Sequence, residues 1–445
     1  MIGIIKSAFS NLCSKFNKGF EHYLSIYLII NVLWLSIGVV LYNYFRFSYR
    51  DFSVSLIFLM IINFLIIVYL KFFKKYKFEK IDIFLGLLIL FGIIATIFAK
   101  DINISLYGYW KRYEGFFQLL YYYSLMFLAT NIFDNVYKKS IIKFILCFGV
   151  INVFICFLQV YDVFMFIPIG RRNLGLGQGL LGNSNFFGSY MVLCLGLSIG
   201  LFLYSKKKSI VNLLLCLLFF SGLLMSNALS GMMGLFFVCV LILIYFIYLC
   251  LKRLDVKSNI VKHIILLLSS ILVFFILSCS NETVMMNDIV KFSKETSEVA
   301  KGNANDSFGS GRMFIWKNTL RVIPKYLLHG VGVDNFCNAF EYPLSFEYSK
   351  GNVVYFDKVH NEYLQKLICE GVFSCITYIF MLFVIFVKSI KENIKKQNFI
   401  SIALFFSFVG YSVQAFFNIS VIDVAPFFWI VIGLLYDRNC KNLKN

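Results

Sequence analysis

Twelve long apolar runs dominate this chain of 445 residues. They fall at 24–42, 53–70, 82–99, 115–133, 140–161, 184–204, 209–226, 231–251, 261–279, 364–387, 398–417 and 421–436. A helix needs roughly 17–25 apolar residues to cross about 30 Å of hydrocarbon, and the runs match that length. Lipid offers no partner to a backbone N–H or C=O, so each run is expected to be helical. With only 4 prolines in the chain, most spans are expected to run unbroken. Hydrophobic residues make up 60% of the sequence and charged residues 15%, with a mean hydropathy of +0.79. A soluble fold could not hide that much apolar surface. The composition excludes a soluble enzyme, a nucleic-acid binder, a disordered chain and a single-span receptor. The fold class is an all-α polytopic membrane protein with about 12 transmembrane helices.

The net charge of +19 comes from 42 Lys and Arg against 23 Asp and Glu. In a soluble protein such an excess would point to nucleic acid. In a membrane protein it reports orientation, because cytoplasmic loops collect Lys and Arg. With the N-terminus inside, the inner segments hold most of the cations, in clusters such as Lys74, Lys75 and Lys77, Lys206 to Lys208, and Lys391, Lys395 and Lys396. The short outer loops hold only Arg46, Arg50, Lys100, Lys111, Arg112, Arg171 and Arg172. Both termini are therefore expected in the cytoplasm. Residues 1–23 are expected to form a cytoplasmic segment without a cleavable signal, 24–279 to carry helices one to nine, and 280–363 to form one long extracytoplasmic loop. Residues 364–437 carry helices ten to twelve, and 438–445 form a cytoplasmic tail. Cys147, Cys156, Cys194, Cys216, Cys239, Cys250 and Cys375 lie inside apolar runs, where cysteine acts as a small hydrophobe.

Within the long loop, Asn281 to Ser310 reads as a polar stretch. Beyond it, Phe314, Ile315, Leu320, Val322, Ile323 and Leu327 are spaced to line one face of an interfacial helix, with Lys317, Arg321 and Lys325 on the other. Pro324 is expected to kink or end that helix. Gly330, Gly332 and Asn335 mark a turn.

Polar residues with chemical potential gather on the outer side. The segment Arg171-Arg172-Asn173 to Asn183-Ser184-Asn185 combines two guanidinium groups, several glycines and amides, and then enters a helix. Free N–H groups at a helix start beside arginine suit an anion, and a guanidinium fork matches phosphate oxygens. The same segment reads equally as a flexible loop at lipid headgroups. Of 4 histidines, His360 begins His360-Asn361-Glu362-Tyr363-Leu364 where the tenth span enters the membrane. An imidazole there is placed to take a proton, although a lone interfacial histidine is more often structural. Arg112 lies in Gly108-Tyr109-Trp110-Lys111-Arg112-Tyr113-Glu114-Gly115, and Arg312 follows Gly309-Ser310-Gly311. Trp110 also reads as an interface anchor.

Taken in order, these pieces resemble the O-antigen ligase and O-antigen polymerase superfamily of bacterial membrane glycosyltransferases. The matching pieces are Arg112 to Gly115, Gly182 to Gly188, Ser230-Gly231, Gly311-Arg312, Trp316 with Pro324, Gly330 to Gly332, and Asn335-Phe336. They continue with His360 to Leu364, Glu370-Gly371, and Trp429 to Gly433 in the last span. The resemblance covers about residues 80–437. It implies transfer of a glycan from an undecaprenyl-diphosphate carrier to an acceptor hydroxyl on the outer face of the bacterial cytoplasmic membrane. It implies an inverting reaction that needs neither metal nor cofactor. The acceptor would be a glycan, a lipid or a cell-wall polymer, in surface polysaccharide assembly at the cell envelope. It places His360 as the catalytic base and Arg172, Arg171, Arg312 and Arg112 on the diphosphate, with Asn183, Asn185, Asn361 and Glu362 in support. Ser184 stands where the family often has proline between its two asparagines. Polymerase and ligase remain alternatives. So does a glycolipid flippase without enzymatic activity, which would need a basic cavity but not His360. A peptidoglycan polymerase would instead rely on Asp357 or Glu362.

Overall fold

The computed structural model describes residues 2–45, 47–73, 78–161, 177–204, 210–252, 256–280, 284–303, 305–349, 352–396, 398–436 and 438. Arg171 and Arg172 lie outside the described residues. Each apolar run is helical over most of its length. The first group is α1 (Ile2–Tyr44), α2 (Tyr49–Phe73), α3 (Lys80–Ile97), the short α4 (Ile102–Tyr107), α5 (Phe116–Ala129) and α6 (Asn135–Val160). Then come α7 (Ser184–Tyr204), α8 (Ile210–Ser226), α9 (Leu229–Leu251), α10 (Val256–Ser280), α11 (Val284–Ala300) and α12 (Arg312–Tyr326). After a hairpin of β1 (Ser345–Ser349) and β2 (Asn352–Tyr355), the chain ends in α13 (Glu362–Lys396), α14 (Phe399–Gln414) and α15 (Ala425–Leu435).

Among the described residues, 8 of these helices are long and apolar enough to cross a membrane. The other four runs read as spans hold α5, α8, α14 and α15, which are apolar but shorter. At about 1.5 Å per residue, α5 reaches roughly 21 Å and α15 roughly 16 Å, short of about 30 Å. The apolar runs that contain them are partly turn. Thr130 to Phe133 follow α5 and Val421 to Val424 precede α15, all without helix.

Helix α7 is the spine. Of its apolar window 94% is buried, against 6% for the span in α10, which lies at the periphery of the bundle. It packs on α14, α8 and α9. A Cβ on Gly196 would lie 2.5 Å from the Ser407 backbone nitrogen, and one on Gly200 would strike the backbone of Ala403. Small residues one turn apart on both helices thus bring the two backbones together, the usual way membrane helices gain dispersion energy where no hydrophobic force acts between them. The Ser407 hydroxyl donates across the seam to the Leu193 carbonyl at 2.8 Å. Helix α5 packs between α2 and α15, and α3 packs on α13.

The two ends of the bundle differ. At one, Arg438 makes a two-pronged bond to Asp82 at 2.8 and 2.6 Å, and its Nε donates to Thr130 at 2.7 Å. The other end carries the long segment. Its polar start is not all loop, because α11 runs through it. Helix α12 buries Ile315, Thr319, Ile323 and Tyr326, while Leu320 and Leu327, expected on the same face, are 58% and 40% exposed. Pro324 sits in the last turn, and the helix ends two residues later. A second small core joins Ile315, Ile323, Tyr326, Phe336, Phe356, Val359 and Ile368, and seats this cap on the start of α13.

The spine gives a first test. Gly200→Leu should overpack the α7–α14 seam and cost about 1–3 kcal/mol or more, lowering the thermal midpoint of the purified protein. Gly86→Leu, where a Cβ meets nothing within 4 Å, should leave it within error.

Candidate functional site

Three loops meet at the end that carries the long segment. The first, 108–115, joins α4 to α5. The second, 327–336, follows α12. The third, 356–361, leads from β2 into α13. Each contains a non-glycine residue in the left-handed region: Tyr113 at φ 51°, Asp334 at φ 57° and His360 at φ 55°. Such residues are uncommon, persist only where the surroundings hold them, and concentrate at functional sites.

Lys358 holds the three loops together. Its Nζ lies 3.0 Å from Glu114 Oε2 and 2.5 Å from Asp334 Oδ1. The other oxygen of Glu114 accepts from the Tyr122 hydroxyl at 3.1 Å. The other oxygen of Asp334 accepts from the Tyr109 backbone N–H at 2.8 Å. All three charged side chains are buried. Burial opposes the charge on Lys358, but Asp334 and Glu114 outweigh it and keep the ammonium protonated well above its ordinary range. Burial pushes the Glu114 carboxyl up to about 7, against the pull of Lys358 and with a further push from Asp334. One turn into α13, Lys366 bonds both oxygens of Glu370 at 2.7 and 2.9 Å, and the Ser374 hydroxyl donates to the same carboxylate at 2.7 Å. The two groups line one cavity of ≈ 40 Å³, room for about one or two waters.

Around this hub stand three of the residues singled out in the sequence. Arg112 donates through Nε to Asp357 Oδ2 at 2.8 Å, and its guanidinium carbon sits 5.4 Å from the centre of the Phe186 ring, within cation–π reach. Arg312 starts α12 directly after Gly311, whose φ of 81° sets the sharp entry that a side chain would strain. Its Nε donates to the Phe417 carbonyl at 2.9 Å and its Nη1 to the Gly309 carbonyl at 2.8 Å. One turn along, Trp316 Nε1 donates to the Val359 carbonyl at 3.1 Å, which fastens α12 to the residue before His360. His360 is half-buried. Burial, then the positive charges of Arg312 and Arg112, hold its imidazole down to about 3; Asp357 works against them and Lys358 with them. Burial would raise the Asp357 carboxyl, but the charge and hydrogen bond of Arg112 hold it below its ordinary value. At neutral pH the imidazole is therefore uncharged, with a lone pair to offer, and two guanidinium groups lie within electrostatic reach of it.

The supporting residues are placed differently. Asn183 Oδ1 accepts from the backbone N–H of Asn185 at 2.9 Å and Phe186 at 3.4 Å. The N–H groups expected to face an anion at the start of α7 are thus partly taken by a cap. Asn361 caps α13 in the same way, accepting from the Leu364 N–H at 3.0 Å. The Asn185 carbonyl accepts from the Ser189 hydroxyl at 2.8 Å and the Asn418 amide at 3.3 Å. Glu362 Oε2 accepts from the Ser420 N–H at 2.9 Å and so ties α13 to the loop before α15. Lys358, Asp334 and Lys366 were not singled out in the sequence. A charge beside the histidine, in Asp357-Lys358-Val359-His360, and the one-turn spacing of Lys366 and Glu370 were the available signals.

The same elements carry the family signal. Residues 214–379 match the O-antigen ligase family model. The resemblance to the O-antigen ligase and polymerase superfamily is borne out over that stretch. It contains Gly231, Arg312, Pro324, Gly330 to Gly332, His360 to Leu364 and Glu370-Gly371. The pieces at Arg112 to Gly115, Gly182 to Gly188 and Trp429 to Gly433 lie outside the match. No curated protein matches the chain.

The hub can be tested directly. Lys358→Ala leaves two buried carboxylates facing each other, and breaking such a pair typically costs about 3–5 kcal/mol. The loss should depend on pH. Glu114, raised from 4.5 to about 7, binds more protons folded than unfolded between those values, so its contribution to stability falls as pH rises through that window. Without Lys358 the carboxyl rises further. Thermal melts should therefore show a smaller deficit for the variant at pH 5 than at pH 8.

Proposed function

We propose that the protein is a membrane glycosyltransferase that moves a glycan from an undecaprenyl-diphosphate carrier to an acceptor hydroxyl. The reading places it in the bacterial cytoplasmic membrane with both termini in the cytoplasm and the three loops facing outward, in surface polysaccharide assembly. The observation that carries it is the meeting at the loop-bearing end of His360, Arg312 on the α12 entry and Arg112 bonded to Asp357, with Trp316 fastening α12 to the residue before His360. The family match over residues 214–379 supports the same chemistry.

On this reading the parts are as follows. The acceptor oxygen attacks the anomeric carbon as the bond from that carbon to the diphosphate oxygen breaks. His360 takes the proton of the attacking hydroxyl. Arg312 stabilises the negative charge that grows on the leaving diphosphate, where fixed donors in a water-poor site are worth most. Attack from the side opposite the leaving group inverts the sugar carbon. Arg112, held by Asp357, steadies the loop beside His360 and adds positive charge to the site. Arg171 and Arg172 belong to the same diphosphate reading. The reaction needs no metal in this scheme.

The donor itself completes the base. An imidazole held near 3 is a weak base, because the ideal catalytic pKa lies near the working pH. Two of the groups holding it down are Arg312 and Arg112. A bound diphosphate cancels their charge, so His360 becomes more basic once the donor is in place. Two outcomes follow for protein in liposomes supplied with undecaprenyl-diphosphate oligosaccharide. His360→Ala should lose about 10²–10⁴-fold in kcat while still binding donor. In the wild type the acid limb of kcat should lie at higher pH than that of kcat/KM, since the first reports the donor complex and the second the free enzyme. Coincident limbs would sink the donor-assisted base. A lipid-linked ladder from donor alone would mark a polymerase, and transfer only with a second acceptor would mark a ligase.

A further inference from the structure

A second concavity opens beside the site. It has a volume of ≈ 430 Å³ and lies between the first turns of α2, the short α4 and the loop that carries Arg112. Four rings line it: Tyr107, Tyr109, Trp110 and Tyr113. Trp110 is 63% exposed and Tyr107 49%, so these faces are open rather than packed into a core. Arg50 and Asn103 add polar groups to the lining, and both side chains are exposed.

We propose that this groove seats pyranose rings of the glycan substrate. The inference rests on the glycosyl-transfer reading and adds to it a place for the sugar. A pyranose presents an apolar C–H face, which an open aromatic ring covers, and a rim of hydroxyls, which a guanidinium and an amide can bond. A prenyl chain would use the rings but not Arg50 or Asn103. The volume falls within the range of small-molecule sites. Two features connect the groove to the reacting centre. The wall residue Tyr109 donates its N–H to Asp334 in the Lys358 hub, so that wall is held in place. Arg112 lies between the wall residues Trp110 and Tyr113 and bonds Asp357, three residues before His360. A sugar chain in the groove therefore runs along the strip of backbone that ends at the site.

The test uses purified full-length protein and an array of hexose and N-acetylhexosamine oligosaccharides that carry neither phosphate nor prenyl chain. The wild type should retain a subset. Trp110→Ala and Tyr107→Ala should each weaken that retention by about tenfold, the scale for an aromatic anchor. Trp110→Phe should keep most of it. Both positions are exposed, and unchanged thermal midpoints will show that the variants fold. Sugar-free polyprenyl phosphate should bind all variants as it binds the wild type. Displacement of the oligosaccharide by glycan-bearing prenyl diphosphate would assign the groove to the donor glycan, and simultaneous binding would assign it to the acceptor glycan. Either result supports a saccharide site. No retention by the wild type, undiminished retention by Trp110→Ala, or a loss confined to polyprenyl phosphate would overturn it. His360→Ala, run alongside, should retain the array signal in full. If it also retained full transfer activity, the base assignment would fall while the groove stood.

Discussion

Everything at the loop-bearing end hangs on one buried ammonium. Lys358 lies between two carboxylates that come from distant parts of the chain. A buried ion pair rarely adds net stability, because the cost of taking the charges from water rivals their attraction. What the arrangement supplies is position. Glu114 precedes α5, Asp334 follows α12, and Lys358 precedes α13, so one cation sets the spacing of three elements. Arg112 and His360 lie two residues from members of the hub and inherit that spacing. The second pair, Lys366 with Glu370, repeats the device one layer deeper and shares the cavity.

A break in α13 allows the loops to come so close. At Gly371 the backbone leaves helical geometry, with φ 85° and ψ 173°. The Ile368 and Cys369 carbonyls, freed from the helix ladder, accept instead from the N–H groups of Val331 and Gly332 at 2.9 and 3.1 Å, and the Val372 N–H returns to the Leu327 carbonyl at 2.7 Å. The loop that presents Asp334 is in effect stitched to the opened helix. A side chain at Gly330 would strike the Cys369 carbonyl, which is why the Gly330-Val331-Gly332 turn carries no bulk at its first position.

Much of this was legible in the sequence, for reasons that also explain what was not. Apolar runs gave the helices, since lipid and core both demand saturated backbone. They did not give helix lengths, because Val421, Ile422 and Val424 read as part of a span and yet form a turn, with Asp423, that is buried by protein. His360, Arg112 and Arg312 stood out by chemical type. Asn183 and Asn361 stood out as well, but the polarity that flagged them serves to cap helices. Lys358 and Asp334 were hidden because their pairing is tertiary: nothing in the order of residues says that two loops cross. Leu320 and Leu327 fit the helical spacing and still lie in the open, since periodicity reports a face and not whether anything covers it.

The short helices have a consequence for charge. Between α14 and α15 the chain passes through ten residues without regular helix, and most of them are buried. Irregular backbone at membrane depth survives only when protein supplies its partners. Here the Phe417 carbonyl takes Arg312, the Ala415 carbonyl takes the Glu362 N–H, and the Ser420 N–H takes the Glu362 carboxylate. The stretch between the two helices is therefore held by bonds made inside the protein. Their positions were fixed when the chain folded, and Arg312 and Glu362 are anchored by backbone that no helix ladder occupies.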